Sequence, residues 1–254
     1  MSDDGQKNPM RAAQANMRSE PVRRFYRTVE VREDNERHAL TLDGRDVRTP
    51  GRNRLAAASR PLMLRVAEEW ARQGETLDPA DMPITRLLNS AIDGVAGQME
   101  ETRAEIVRYA GSDLVCYRAE APATLAERQR LAFGPVLDWA AETLGARFVL
   151  AAGVIHVDQP PETLEAVRAR LVDFDDPAAL VSLSAMTTLA GSAVLALATA
   201  GGFLSPAEAW RAAHVDEDFQ NELWGGDDEA MARRAARWRE MEAAATASRL
   251  LSQD

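Results

Sequence analysis

The chain has 254 residues, of which 46% are hydrophobic and 28% are charged, a composition typical of a folded globular protein. Its formal charge of −10 argues against a nucleic-acid partner, which would need a basic surface, but permits a protein partner with such a surface. The single cysteine, Cys116, excludes an internal disulfide and a cysteine-rich zinc site.

The sequence predicts an α+β fold with a small N-terminal α+β domain followed by a larger all-helical domain. Residues 1–20 are polar and carry Asp3 and Asp4, which favours a disordered tail over a signal or transit peptide. We expect the α+β domain at residues 21–90. The helical domain, an orthogonal bundle, is expected at residues 91–254.

Strand and hairpin signals occur early in the chain. Residues 25–32 alternate and are rich in β-forming residues, and residues 39–42 form a second apolar run. Asp43-Gly44, directly after that run, is the strongest short signal for a β-hairpin turn. Residues 60–72 are predicted to form the first helix.

After Met82-Pro83 the sequence predicts almost only helices. The predicted helices cover residues 83–95, 98–110, 125–144, 161–172, 178–200, 206–224 and 228–250. The β-branched residues between Arg147 and Val157 favour an extended segment there.

Residues 178–207 lack any charged side chain and are long enough to span a bilayer. However, serines, threonines and glycines interrupt the segment, its apolar residues are mainly alanine, and its flanks are acidic without a basic anchor. We therefore predict a buried central helix and no membrane span. The other alternative is an apolar face that a second protein covers.

The segment 214–229 is unusually acidic and contains Asp216, Glu217, Asp218, Glu222, Asp227, Asp228 and Glu229. Ser205-Pro206-Ala207-Glu208 is a capping box that begins the predicted helix, and Gly225 ends it. Helical spacing places Ala212, Val215, Phe219 and Leu223 on a buried stripe, and Ala213, Asp216, Glu217, Gln220 and Trp224 on an adjoining face. The second face is either a solvated acidic surface or a binding surface. We expect Trp224 to pack inward and lock the turn before the glycine pair.

The last predicted helix carries a second candidate residue. Its packing stripe is predicted to comprise Met231, Ala235, Trp238, Glu242 and Ala245, which leaves Glu240 on the opposite face among alanines. Glu240 then forms either an exposed pair with Arg237 or a contact with a partner.

Motifs for common chemistry are absent from the sequence. It contains no phosphate-binding loop with lysine, no zinc-ligand spacing of histidines and no serine-nucleophile elbow. We therefore expect no cofactor, no metal and no catalytic residue, which favours a binding protein. The competing interpretation is a magnesium-dependent hydrolase that uses the carboxylates of residues 216–229. A structural scaffold without any bound partner is a third.

Several short motifs are weak singly but specific in their order and spacing. They are Arg24-Phe25-Tyr26, Leu42-Asp43-Gly44, Thr49-Pro50, Glu69-Trp70 with Gln73, Met82-Pro83-Ile84-Thr85, Ala91-Ile92-Asp93, Asp113-Leu114, Cys116-Tyr117-Arg118, Gln129, Trp139, and Glu217 with Gln220 and Trp224-Gly225. Over residues 22–250 the chain thereby resembles the assembly chaperones of the F-type ATP synthase catalytic head that bind the α subunit (the ATP-twelve family, or assembly factor two). The turn at Gly226-Asp227-Asp228 departs slightly from the family pattern.

The resemblance implies a non-enzymatic chaperone that holds the free α subunit, its client, until a β subunit replaces it. We expect a monomer in the bacterial cytoplasm, or in the mitochondrial matrix if the source is a eukaryote. The predicted client-binding residues are Asp216, Glu217, Gln220, Trp224, Asp227, Asp228 and Glu240.

Overall fold

The computed structural model describes residues 22–153 and 155–252, so the predicted tail at residues 1–20 lies outside the described residues. An N-terminal strand region is followed by a helical bundle, which confirms the predicted fold class. Buried apolar side chains form two clusters, one beneath the N-terminal sheet and one inside the bundle.

The N-terminal unit is built on a four-stranded antiparallel sheet of β1 (Val29–Asp34), β2 (Arg37–Leu42), β3 (Arg45–Asp46) and β4 (Ala56–Ala57). Strand β2 is central: it pairs with β1 along one edge and with both β3 and β4 along the other. The predicted hairpin turn is confirmed, since Asp43 and Gly44 have φ values of 48° and 77°, as a type I′ turn requires. The first strand begins at Val29, four residues later than predicted.

The helices are α1 (Arg60–Ala71), α2 (Pro83–Asp93), α3 (Met99–Gly111), α4 (Ala123–Trp139), α5 (Pro161–Leu171), α6 (Pro177–Ala190), α7 (Ala193–Ala200), α8 (Pro206–Ala213), α9 (Val215–Trp224) and α10 (Asp228–Leu251). A π-helical turn, Ala140–Leu144, extends α4 to the residue at which the sequence predicted its end. The segment predicted to be extended contributes β6 (Ala151–Ala152), a two-residue strand parallel to β5 (Tyr117–Arg118).

The predicted central helix at residues 178–200 is buried, as expected, but is divided into α6 and α7. Gly191 adopts a φ of 66°, which ends α6, and Ser192 caps α7. Residues 193–199 are all buried. Neither half approaches the length of about 20 residues that a bilayer requires, and no helix of residues 22–153 or 155–252 could cross a membrane.

A buried carboxylate fixes the position of α7. Asp113 accepts hydrogen bonds from the backbone N–H of Val194 at 3.0 Å and of Val115 at 3.2 Å. Its oxygens therefore satisfy a donor at the N-terminus of α7 that would otherwise be buried without a partner. Burial raises the pKa of Asp113 to about 6.

Helix α10 connects the two hydrophobic clusters. Met241 and Ala244 pack into the bundle, whereas Ala243 and Ala247 belong to the cluster beneath the sheet. The hydroxyl of Ser59 donates a 2.9 Å hydrogen bond to the carbonyl oxygen of Leu250, which ties the end of α10 to the start of α1.

The packing stripe predicted for this helix is correct only in part: Ala245 is buried and Trp238 packs against the bundle cluster. Met231, Ala235 and Glu242 are exposed, and the buried positions are mainly alanines. Alanine lets α10 approach α6 closely, so small residues of the opposite face, Ala243, Ala244 and Ala247, pack as well. The first turns of α10 extend beyond the bundle and bury little.

Candidate functional site

The predicted helix at residues 206–224 is broken at His214 into α8 and α9. His214 is buried, its Nδ1 donates a 2.8 Å hydrogen bond to the carbonyl oxygen of Trp210, and the two rings are 3.9 Å apart. Burial lowers the pKa of His214 and so favours its neutral form. Across the break the predicted buried stripe holds at Ala212 and Phe219, and Val215 packs against the bundle cluster, so the stripe fails only at Leu223.

Helix α9 docks on α4 through polar contacts around one aromatic ring. Arg128 of α4 donates two hydrogen bonds, of 2.8 and 2.7 Å, to the carboxylate of Glu222, and these lower the pKa of that carboxyl. The guanidinium also lies 5.1 Å from the ring centroid of the buried Phe219. Gln129 donates a 2.7 Å hydrogen bond to Asp216. Asp216 therefore helps to hold α9 against α4 through one of its two carboxylate oxygens.

The end of α9 extends past α4 and is exposed. Leu223 is 58% exposed and Trp224 is 78% exposed, so the predictions that they pack inward are wrong. Met231, across the turn at the start of α10, is 58% exposed. Glu222 is the last residue of α9 that the structure hydrogen-bonds to α4, and Gly225, with a φ of 84°, ends the helix three residues later. We name the exposed segment 223–231 the hairpin tip.

The acidic residues around the hairpin tip differ in the hydrogen bonds and ion pairs that their carboxylates form within the protein. Asp227 caps α10, accepting hydrogen bonds from the N–H groups of Glu229 at 3.3 Å and Ala230 at 3.2 Å. Glu217 is 4.0 Å from Arg234, which pairs more closely with Asp218. The side chains of Asp228 and Gln220 are exposed and make no hydrogen bond to another of the residues that the structure describes.

Glu240 lies apart from the hairpin tip. It is 12 residues beyond the start of α10 at Asp228, or about 18 Å along the helix axis. Its carboxylate pairs with Arg86 of α2, and its side chain remains 37% exposed. The predicted pair with Arg237 is wrong, because Arg237 instead donates to the carbonyl oxygen of Leu189 at 2.8 Å. The structure thus gathers six of the predicted residues on the α9–α10 hairpin and places Glu240 where α10 meets α2.

Comparison with known proteins agrees with this architecture. Residues 23–141 match the family model described as ATP12 chaperone protein. The structure of Atp12 from Paracoccus denitrificans is similar, with 39% identity and a TM-score of 0.84 over 90% of this chain and 98% of that one. The structure of a candidate chaperone from Agrobacterium tumefaciens is 44% identical, with a TM-score of 0.89 over 97% of this chain and 92% of that one.

The chain belongs to the ATP12 family of chaperones. A further relative, the mitochondrial protein atp12 of Schizosaccharomyces pombe, is 23% identical over 220 residues, which span 82% of this chain and 75% of that protein. The family serves ATP synthase assembly. Its members are named as chaperones, which confirms the interpretation as a chaperone and not an enzyme.

The geometry of the acidic segment does not support the magnesium-dependent hydrolase. Glu222 and Asp218 are paired with arginines, and Asp216 is held by Gln129. Within the described ranges, no three His, Cys, Asp or Glu side chains lie close enough together to hold a metal ion. Asp216 and Glu222 of this ATP12 protein instead hold α9 against α4, and Asp218 holds it against α10.

The sequence did not predict the exposure of Leu223 and Met231, and it gave no role to Trp210 and Trp238. Leu223 and Met231 were assigned to buried stripes, and Trp210 and Trp238 were not considered as part of a site. The glycine pair at 225–226 was the signal that could have indicated this exposure, because it ends α9 directly after two large apolar residues.

Proposed function

We propose that this ATP12 protein binds the unassembled α subunit of the F-type ATP synthase and masks its subunit interface until the β subunit replaces it. Family membership and the exposed hairpin tip support the proposal. A subunit of an alternating ring exposes a large interface before assembly, and such surfaces aggregate. Masking that interface reversibly protects the subunit.

The observation that carries the proposal is the exposure of large apolar side chains at the hairpin tip. Leu223, Trp224 and Met231 project from the body of the protein, and clustered apolar exposure marks an interaction site. The bidentate contact of Arg128 with Glu222 holds the tip in a defined orientation. Less ordering is then required when the client binds.

The acidic side chains around the hairpin tip favour a client that carries basic residues around its contact surface. Glu217 and Asp228 are incompletely engaged inside the protein, and the chain as a whole carries a formal charge of −10. Complementary charge of this kind raises the association rate and disfavours wrong partners more than it tightens binding. We assign the same role to Glu240, whose half-exposed carboxylate would extend the contact surface along α10.

The chaperone is released from the α subunit when the β subunit competes for the same surface. The sequence has no nucleotide-binding loop to drive a cycle. The chaperone must therefore bind the α subunit less tightly than the β subunit does. This exchange would take place where the catalytic head assembles, in the bacterial cytoplasm or the mitochondrial matrix.

The proposal is tested by an exchange experiment with purified proteins. The chaperone and the α subunit of the same organism are expected to co-elute in size-exclusion chromatography as one complex. Adding the β subunit should release free chaperone while α and β elute together. A chaperone that stays bound to the assembled α and β subunits would show that it masks some other surface. Failure of the chaperone and α to co-elute would refute the proposed client.

A further inference from the structure

A groove of about 600 Å³ runs between α8 and α10, next to the hairpin tip. Trp210, which is only 7% exposed, and the half-buried Trp238 line it with rings 5.6 Å apart, and the exposed Met231 and Ala235 line it from α10. Most of its lining is apolar, although it opens to solvent. A monomer gains nothing from leaving such a surface uncovered, so the groove is a candidate docking site.

The walls of the groove determine which secondary structure fits it. Both walls are helices, whose backbone groups are already paired, so a docked β-strand would find no strand edge to hydrogen-bond with. A helix satisfies its own backbone and needs only apolar side chains at the contact. The wall from Met231 to Trp238 is about 10 Å long, or two helical turns. It matches apolar residues at positions i, i+3 or i+4, and i+7 of a bound helix.

An exposed positive charge stands on the rim of the groove. Arg211 of α8 forms no ion pair with any residue in 22–153 or 155–252, and its Nε donates a 3.3 Å hydrogen bond to the carbonyl oxygen of Ala207. Together with the hydrogen bonds from Ser205, its charge lowers the pKa of Glu208, one helical turn earlier. The other rim arginine, Arg234, is paired with Asp218. An acidic side chain on the docked helix would therefore be attracted to Arg211.

The groove is continuous with the proposed client-binding surface. Met231 belongs both to the groove lining and to the exposed hairpin tip, and Gly226 lines the groove two residues after Trp224. A client that covers the tip would also reach the groove.

We propose that the groove receives an amphipathic helix of the client, with its apolar face on Trp210 and Trp238 and an aspartate or glutamate against Arg211. This inference rests on the proposed function, because it takes the α subunit as the source of that helix. It adds a second contact of defined chemistry beside the hairpin tip.

Two substitutions test the groove by titration with purified α subunit. Ala235→Phe fills the groove from an exposed helical position, and Arg211→Glu reverses the rim charge. Each is expected to weaken binding at least about tenfold, whereas Arg211→Lys should retain most of the affinity. Ala236→Phe is the matched control, since Ala236 is also exposed on α10 but does not line the groove.

The outcomes separate this inference from the proposed function. If the wild-type protein binds the α subunit and Ala235→Phe binds it equally well, the groove inference is wrong and the proposed function stands. If the wild-type protein does not bind the α subunit, both are wrong. A photo-crosslinking residue at position 235 gives a second readout. Crosslinks to an acidic amphipathic helix of the α subunit support the inference, and crosslinks to a second copy of this chain overturn it.

Discussion

Replacing Trp224 by alanine is expected to weaken binding of the α subunit by about 30-fold or more while leaving the fold intact. Trp224 is 78% exposed, so its truncation removes little buried surface and should change the melting temperature by no more than about 2 °C. An exposed tryptophan that becomes buried at an interface is a typical hot spot, worth about 2 kcal/mol or more. The measurement pairs thermal melting with titration of the α subunit.

Phe25→Ala is the matched control for this substitution. Phe25 is 68% exposed on the N-terminal unit, so the variant removes a comparable exposed aromatic ring elsewhere on the surface. We expect it to bind the α subunit normally. A melting temperature lowered by many degrees in Trp224→Ala, with binding unchanged, would mean that Trp224 packs inward after all.

Replacing Glu240 by lysine is the second substitution with a large expected effect. The pair with Arg86 is 42% and 37% exposed on its two sides, so losing it should cost about 1 kcal/mol or less of stability. If Glu240 faces a basic group of the client in a desolvated contact, the reversal should cost several kcal/mol of binding free energy. We therefore expect a nearly normal melting temperature and loss of client protection.

A charge swap distinguishes a client contact from a packing role. In the double variant Arg86→Glu with Glu240→Lys, the ion pair between α2 and α10 can form again with reversed signs. We expect the swap to recover stability but not binding of the α subunit. Recovery of both would show that Glu240 acts only by joining the two helices.

The sequence predicted the fold well where local signals determine structure. Asp43-Gly44 specifies its hairpin because both residues tolerate a positive φ. The helices that begin at Pro83, Pro161 and Asp228 start where cap and proline signals place them. The second hairpin turn, with φ values of 49° at Asn35 and 62° at Glu36, was missed because it contains no glycine.

The sequence failed where tertiary packing overrides the helical pattern. The helical pattern runs through His214 without a glycine or proline, yet the helix breaks there, and the buried His214 ring donates to the carbonyl oxygen of Trp210. The buried face of α10 is mainly alanine, and the stripe predicted from the larger residues shares only Ala245 with it, while Met231, Ala235 and Glu242 are exposed. Trp224 and Met231 resemble core residues by type. Only the position of α4 shows that nothing in the described structure covers them.

The most direct test of the central claim is the solubility of the α subunit in the presence of this chaperone. The two proteins are co-expressed without the β subunit, and the soluble fraction of α is compared with that from cells lacking the chaperone. We expect the chaperone to keep most of the α subunit soluble, and Trp224→Ala to return it to the insoluble fraction. An α subunit that aggregates equally with and without the wild-type chaperone would contradict the account.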